Sequence, residues 1–432
     1  MKVTVIGAGL AGSEAACYLA KRGHEVVLKE MRGIKSTPCH KTDMPAELVC
    51  SNSLKAVGED TASGMLKLEL KRLRSSLLPL AEKAAVPAGG ALAVDRELFS
   101  ALVLKELESA GVKIVREEAS GAEEQGVTVI ACGPMVSAKM TEYLAEKCGA
   151  RLHFYDAVAP IVSAESVDMK RSFFAARYGK GEADYLNCPM DKEEYIKFRE
   201  ALLTAEKAVL HEFEKGDVFE GCMPIEALAA RGEDAMRYGP LRPVGLKTPE
   251  GERPYAVLQL RRENLAANAY NLVGFQTNLK FSEQKRVFSL IPALERAEFL
   301  RYGIMHRNTY INAPAALNED FSLKSAPDVY IAGQLSGVEG YVESIASGLL
   351  CAINIDRRAA GKKAFMPPPT TICGALSRHL LTASENYQPM NANFGILPPF
   401  SGAKIKDKKE RKHAYTLRGL ADLSAAVEAA EA

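Results

Sequence analysis

The sequence predicts an α/β protein: a doubly wound parallel sheet assembled from both ends of the chain, with a mixed α/β domain inserted between them. Three observations predict it. An apolar run at residues 3–6 leads straight into Gly7-x-Gly9-x-x-Gly12 and an alanine-rich helix carrying Ala15, Ala16, Leu19 and Ala20. A second run at 25–28 is followed by Glu30, eighteen residues after Gly12. A second strand–glycine–helix unit then recurs at 329–354.

The first strand is expected at residues 3–6 because a parallel strand buried on both faces reads as a continuous apolar run. Gly7 makes the tight turn after it, Gly9 lets backbone approach a pyrophosphate, and Gly12 lets helix and strand pack closely. Ala8, Leu10 and Ala11 complete the turn and present free N–H groups at the helix N-terminus. Glu30 is placed to accept from an adenosine ribose. This is a Rossmann-like dinucleotide fingerprint in its required context. Further strands are expected at 127–131, stopping at Cys132-Gly133-Pro134, and at 329–332, stopping at Gly333. Strand ends carrying glycine are where a doubly wound sheet meets its ligand. The run from Gly340 through Tyr341 and a helix to Asn354 forms a second cradle. A plain NAD dehydrogenase needs one cradle, whereas a flavin domain returns near its end to hold the extended cofactor, so FAD is the expected tightly held group. The expected organisation is a flavin domain in two parts, 1–155 and 301–365, an inserted substrate domain at 156–300 and a C-terminal tail at 366–432.

Composition narrows the function. Lys and Arg number 55 against 54 Asp and Glu, so any nucleic-acid binding must use local patches. No eighteen-residue apolar run marks a membrane span, and a chain that starts as a strand is not expected to start with a signal peptide. The nine cysteines are odd in number and lack a CxxC pair, which fits reduced thiols and a cytoplasmic location. No metal site is expected; Cys39, His40 and Cys50 form only a loose trio. Residues 192–215 read as one or two amphipathic helices with a solvated charged face. After Met366-Pro367-Pro368-Pro369 breaks the chain, the basic run at 404–412 reads as a solvated helix start or a phosphate-contacting patch.

Two cysteines are candidate nucleophiles. Cys50 lies in a polar loop soon after the second strand, near the cofactor edge, and Cys222 lies at a turn between Gly221 and Met223-Pro224. A thiolate at such a turn can attack an electron-poor ring carbon. These residues alone do not name a substrate.

The chain resembles the folate- and FAD-dependent tRNA (uracil-5-)-methyltransferase family along most of its length. The blocks that carry the resemblance include the glycine fingerprint, Ala46-Glu-Leu-Val-Cys50-Ser-Asn-Ser-Leu-Lys55 and Val86-Pro-Ala-Gly-Gly-Ala-Leu-Ala-Val-Asp-Arg96. Others are Phe219-Glu-Gly-Cys-Met-Pro-Ile-Glu226, Asn271-Leu-Val-Gly-Phe-Gln-Thr277 and Gly333-Gln-Leu-Ser-Gly-Val-Glu-Gly-Tyr341. The resemblance implies that the methylene of 5,10-methylenetetrahydrofolate passes to C5 of a uridine in the tRNA T-loop, with FAD reduced by NADH or NADPH. It implies that Cys222 adds to uridine C6 and that Cys50 assists, although the two roles could be exchanged. It implies that Arg96, Glu339, Gly340 and Tyr341 hold FAD, and that Asn187, Gln276 and Arg307 are candidates for folate or uracil contacts. Arg177, Lys180, Lys280 and Arg286 are candidate phosphate contacts, and no obligate protein partner is evident.

Asn278 and Phe281 stand where the family has His and Trp, and Cys39 and Met44 where it has Ala and Phe. These departures lie on the substrate side, so ribosomal RNA is an alternative substrate. Flavoenzymes that modify the wobble uridine with a carboxymethylaminomethyl group share some blocks, but the residues after Gly361 are too few for their C-terminal domain. A flavoprotein that binds RNA without methylating it is a third alternative.

Overall fold

A computed structural model describes residues 1–37, 39–149, 151–179, 182–208, 223–383, 387–400 and 405–431. Cys222 and Lys180 therefore lie outside the described residues. The main sheet runs in the order Ser322–Leu323, Ala326–Ile331, Val127–Ile130, Lys2–Ile6, Glu25–Glu30, Lys113–Arg116. Every neighbouring pair is parallel except the first. Lys2–Ile6 is central, with Val5 opposite Leu28 on one side and Val129 on the other. Val3, Val5, Val129 and Leu28 are fully buried, as expected of strands covered on both faces. The chain leaves the central strand to one side first and returns to the other side later. This makes the end of Lys2–Ile6 a topological switch point, where such sheets open a ligand crevice.

The helices Leu10–Lys21 and Tyr341–Ala359 cross on the face of this sheet. Their approach depends on Gly348, where a Cβ would sit 2.2 Å from the Ala11 carbonyl oxygen. Two stretches of chain more than three hundred residues apart thereby share one core.

The segment between them builds a second sheet, antiparallel throughout, ordered Phe173–Phe174, Leu186–Met190, Ala256–Arg262, Ala269–Leu272, Ile161–Ser163, Phe299–Arg301. It has its own apolar core, in which Phe198, Phe275 and Phe288 pack together. The strands Arg151–Ala157 and Met305–Ile311 pair antiparallel where the chain enters and leaves this region. Lys192–Thr204 is a helix closed by a capping box, Asp191 with Glu194.

The segment after Pro369 is structured. Ile372–Leu381 is a helix capped by Thr371, and Glu69 accepts from the Ile372 and Cys373 N–H groups at 2.8 Å each. Lys408–Glu431 forms a helix against Ala62–Arg72, with Arg72 Nε donating to Ser424 Oγ at 2.9 Å. No described helix is long and apolar enough to cross a membrane.

Candidate functional site

A cleft of about 300 Å³ opens at the carboxyl ends of the central strands. Its walls come from Gly7, Gly9, Leu10 and Ala11 at the start of the chain, from Ala131, Cys132 and Gly133, and from Gly333, Glu339, Gly340 and Tyr341 near the end. The fingerprint glycines are required for three separate reasons. Gly7 has φ +101°, and a Cβ there would lie 2.6 Å from the Ala131 carbonyl oxygen. A Cβ on Gly12 would lie 1.9 Å from the Gly7 carbonyl oxygen, so this residue serves helix–strand packing and does not line the cleft. A Cβ on Gly9 would meet no protein atom within 4 Å, because Gly9 faces the cleft. Only an occupant of the cleft gives Gly9 a reason to be glycine. Gly340, at φ +124°, starts the helix Tyr341–Ala359 and turns its N-terminus to the cleft.

Glu30 is nearly buried at the cleft wall. Its Oε2 accepts from Ala8 N–H at 2.8 Å and from Arg32 Nη2 at 3.0 Å, while Oε1 accepts from Arg32 N–H at 2.9 Å. Burial raises its pKa, but the hydrogen bonds and charge of Arg32 outweigh that and the net shift is downward, so the carboxylate is ionised. Oε2 is filled by its two donors, but Oε1, with one, keeps a lone pair for a ribose hydroxyl. Arg32 also reaches Glu47 at 3.5 Å. Burial, and then the charge of Arg32, hold His40 down to about 4, so the imidazole in this wall is neutral near pH 7. Sequence reasoning gave Arg32 and Glu47 no role and weighed His40 only as a metal ligand. A charge two residues past a strand end looks solvated unless one asks what neutralises a buried Glu30.

The loop carrying Cys50 forms the next stretch of wall. Cys50 is half-buried, and its N–H donates to Tyr341 Oη at 2.8 Å; Ser51 N–H donates to the same oxygen at 3.3 Å. Burial pushes the Tyr341 phenol far up, so it stays neutral. Asn52 ties this loop to the second sheet. Its Nδ2 donates to the carbonyls of Val94 at 3.0 Å and Arg262 at 2.9 Å, and its Oδ1 accepts from Arg261 Nε at 2.8 Å. Lys55, also on the cleft, pairs with Glu343 at 2.8 Å. Gln276, from the second sheet's side of the molecule, reaches the same cleft.

Other expected residues lie elsewhere. Arg96 does not line the cleft: Nη1 donates to Leu48 O at 2.7 Å and Nε pairs with Glu263, so it joins the Cys50 loop to the second sheet. Asn187 is fully buried and hydrogen-bonded to Phe173, Ala175, Tyr185 and Gln259; it holds strands together and does not face a ligand. Arg177 is spent on Gln259 and on the carbonyls of Arg242 and Val244. Lys280 pairs with Glu206 and Arg286 with Glu283. The Arg307 side chain, like Cys222, lies outside the described residues. Asn278 is turned inward, with its N–H donating to Glu226 at 2.7 Å, while Phe281 is exposed and stacked on Tyr302.

The two glycine cradles, the open face at Gly9 and the ionised Glu30 fit an adenine dinucleotide with an extended second half, as FAD has. Over residues 2–363 the sequence matches the family described as glucose inhibited division protein A. A methylenetetrahydrofolate–tRNA-(uracil-5-)-methyltransferase of Desulforudis audaxviator is 53% identical over 427 residues, covering 98% of this chain and 97% of the relative. A relative of the same name from Lactobacillus delbrueckii subsp. bulgaricus is 52% identical over 428 residues, covering 98% of each. Aquifex aeolicus GidA superposes with a TM-score of 0.70 at 15% identity, covering 98% of this chain and 73% of that one. At that identity the likeness is one of fold.

Proposed function

Because the chain belongs to the methylenetetrahydrofolate–tRNA-(uracil-5-)-methyltransferase family, we propose that it transfers the methylene of 5,10-methylenetetrahydrofolate to C5 of a tRNA uridine in the T-loop. The product is 5-methyluridine. Bound FAD, reduced by NADH or NADPH, supplies the electrons that turn the methylene into a methyl group. The observation that carries this reading is the shared cleft, where two glycine cradles, Cys50 and Gln276 meet.

Gly7, Ala8, Gly9, Leu10, Ala11 and Gly12 shape and support the pyrophosphate turn, and Glu30 takes the ribose. Gly133, Gly333, Glu339, Gly340 and Tyr341 wall the remainder of the flavin. Arg96 supports that wall from behind through Leu48 O. Uridine C5 is a poor nucleophile until a thiolate adds at C6 and makes C5 enolate-like; we assign that addition to Cys222. Cys50 then sits at the flavin side to take the C5 proton. The target carbon is hidden by stacking in folded RNA, so the uridine must be splayed into the cleft. Residues 156–300 are the proposed folate and RNA domain, contributing Gln276 to the cleft. A cytoplasmic location suits the reaction's substrates.

The test supplies the purified yellow protein with an unmodified tRNA transcript, labelled methylenetetrahydrofolate and NADH, and analyses the nucleosides by mass spectrometry. Labelled 5-methyluridine that requires folate is expected, and is lost with Cys222→Ala and with Cys50→Ala while flavin content is kept. Product on ribosomal RNA alone would overturn the tRNA assignment. Absence of product on both RNAs would overturn the reaction.

A further inference from the structure

The C-terminal helix breaks an electrostatic rule of its own fold. Helix N-termini favour acids, and each cation placed there costs a few tenths of a kcal/mol up to about 1 kcal/mol. Yet Lys408, Lys409, Arg411 and Lys412 occupy four of the first five positions of Lys408–Glu431. Across 405–418 the chain carries six Lys and Arg against two acids, in a protein whose net charge is only +1. One of those acids, Asp407, is spent capping the helix, accepting from the N–H groups of Lys409 at 2.9 Å and Glu410 at 2.7 Å. Lys406, Lys408 and Lys409 are exposed. Folding alone gives no reason for this placement.

An aromatic cluster lies beside the cations. Phe394 and Phe400 pack on Tyr415 with ring centroids 5.8 and 4.6 Å away. Arg418 lies over Phe400 at 4.5 Å and Lys412 over Phe394 at 5.9 Å. One tether holds this surface to the rim of the cleft, and a second to the chain just beyond it. Ala392 N–H, two residues before Phe394, donates at 3.0 Å to the Glu343 carboxylate that pairs with the cleft residue Lys55. Thr416 Oγ1 donates at 2.7 Å to the carbonyl of Glu59, four residues beyond Lys55.

Charge spread over an exposed helix face, without an enclosing pocket, suits a polyanion more than a single ion. Aromatic rings interleaved with cations suit RNA, whose unpaired bases stack while its phosphates pair. We propose that the start of this helix, with Phe394, Phe400 and Tyr415, is a docking surface for the phosphate backbone of the RNA whose uridine enters the cleft. The proposal rests on the RNA-modifying function above.

The test is the triple variant Lys406→Glu/Lys408→Glu/Lys409→Glu, measured by filter binding of tRNA at several salt concentrations. The affinity is expected to fall about tenfold or more at low salt, and the slope of log affinity against log salt to shrink by about 2–3. Flavin content and NADH-driven flavin reduction stay at the wild-type level. The thermal midpoint stays level or rises, because the new acids suit the helix N-terminus. A matched reversal of the exposed lysines Lys83, Lys105 and Lys113 controls for net charge and is expected to bind tRNA as wild type does. Unchanged affinity and salt slope in the first variant, or an equal loss in the control, would overturn the proposal. Absence of methylation by wild type would instead sink the functional reading, and the binding comparison would still test the surface.

Discussion

Replacing Tyr341 by Phe isolates one hydroxyl that links the far end of the chain to the Cys50 loop. The ring stays, so no cavity opens; what disappears is the acceptor for Cys50 N–H at 2.8 Å and Ser51 N–H at 3.3 Å. The first is a full hydrogen bond and the second a weak one. A fully buried N–H left without an acceptor costs about 1–3 kcal/mol; these two are half-buried, so the pair together costs roughly 2 kcal/mol. Among its described residues the loop from Met31 to Asn52 contains no regular element, so the cost falls on local opening more than on global unfolding. A change of about 2 kcal/mol in local opening is a factor of roughly 30 in the open population. The assay is alkylation of the Cys50 thiol by iodoacetamide, read peptide by peptide by mass spectrometry, with the thermal midpoint measured alongside. Cys50 is expected to be modified roughly 30-fold faster, with the midpoint down by a few degrees and the fully buried Cys17 and Cys351 unchanged. An unchanged Cys50 rate would refute the argument. It would mean that water takes the place of the hydroxyl, or that the loop is held by its other contacts.

Two glycines of the fingerprint should fail in opposite ways. Gly12→Ala places a Cβ 1.9 Å from the Gly7 carbonyl oxygen and should yield little folded protein, whereas Gly9→Ala meets no protein atom within 4 Å and should fold normally yet purify colourless; normal flavin content in Gly9→Ala would show that the cofactor does not approach there. Glu69 supplies a pH-dependent term. Burial raises its pKa to about 7 against the opposing backbone hydrogen bonds from Cys373 and Ile372. Because the folded value lies above the unfolded one, the stability from its protonated form is full below about pH 4.5 and is lost as pH rises through about 7, roughly 3 kcal/mol in all. Glu69→Gln should be flat over that window, so the difference in thermal midpoint between wild type and variant should change from pH 5 to pH 8. A constant difference would place the Glu69 pKa near its ordinary value.

The flavin half was legible because its signals are local. Strand, glycine turn and helix come one after another at residues 2–21, and again at 326–359. The crossing of the two helices, set by the close approach at Gly348, carried no such local mark. The second sheet was not legible in its order, because pairing Ile161–Ser163 with both Ala269–Leu272 and Phe299–Arg301 is set by contacts over a hundred residues apart. For the same reason Asn187 looked like a ligand contact in the sequence. Its partners Phe173, Ala175 and Gln259 become neighbours only once the antiparallel strands are in register. Arg96 misled in a similar way, since Glu263 lies far along the chain. The segment after Pro369 read only as a tail with a helix start near 404–412, because a run of prolines ordinarily marks the end of packed structure. Its helices are held by Glu69 and Arg72, residues that carry no mark of that role in their own stretch of sequence.

The joint between the two halves shows what sets the position of Cys50. Among the described residues the two apolar cores remain separate clusters, so burial of oil does not orient one against the other. The joint includes a polar seam instead. Asn52 bridges Val94 to Arg261 and Arg262, Arg96 pairs with Glu263, and Arg301 Nη2 donates to Cys39 O at 3.2 Å. Burial pushes Arg261 and Arg301 down and Glu263 up, so each charge is held there at a cost. Buried ion pairs of this kind add little net stability but penalise misalignment, because a displaced partner leaves a desolvated charge unmatched. Directional bonds thus fix what apolar packing leaves free. The backbone at Cys50 is held by Tyr341 from the end of the flavin domain, and its loop by Asn52 through the second sheet. Three distant stretches of chain thus converge on one loop, and that is the rigidity the role proposed for Cys50 would call for.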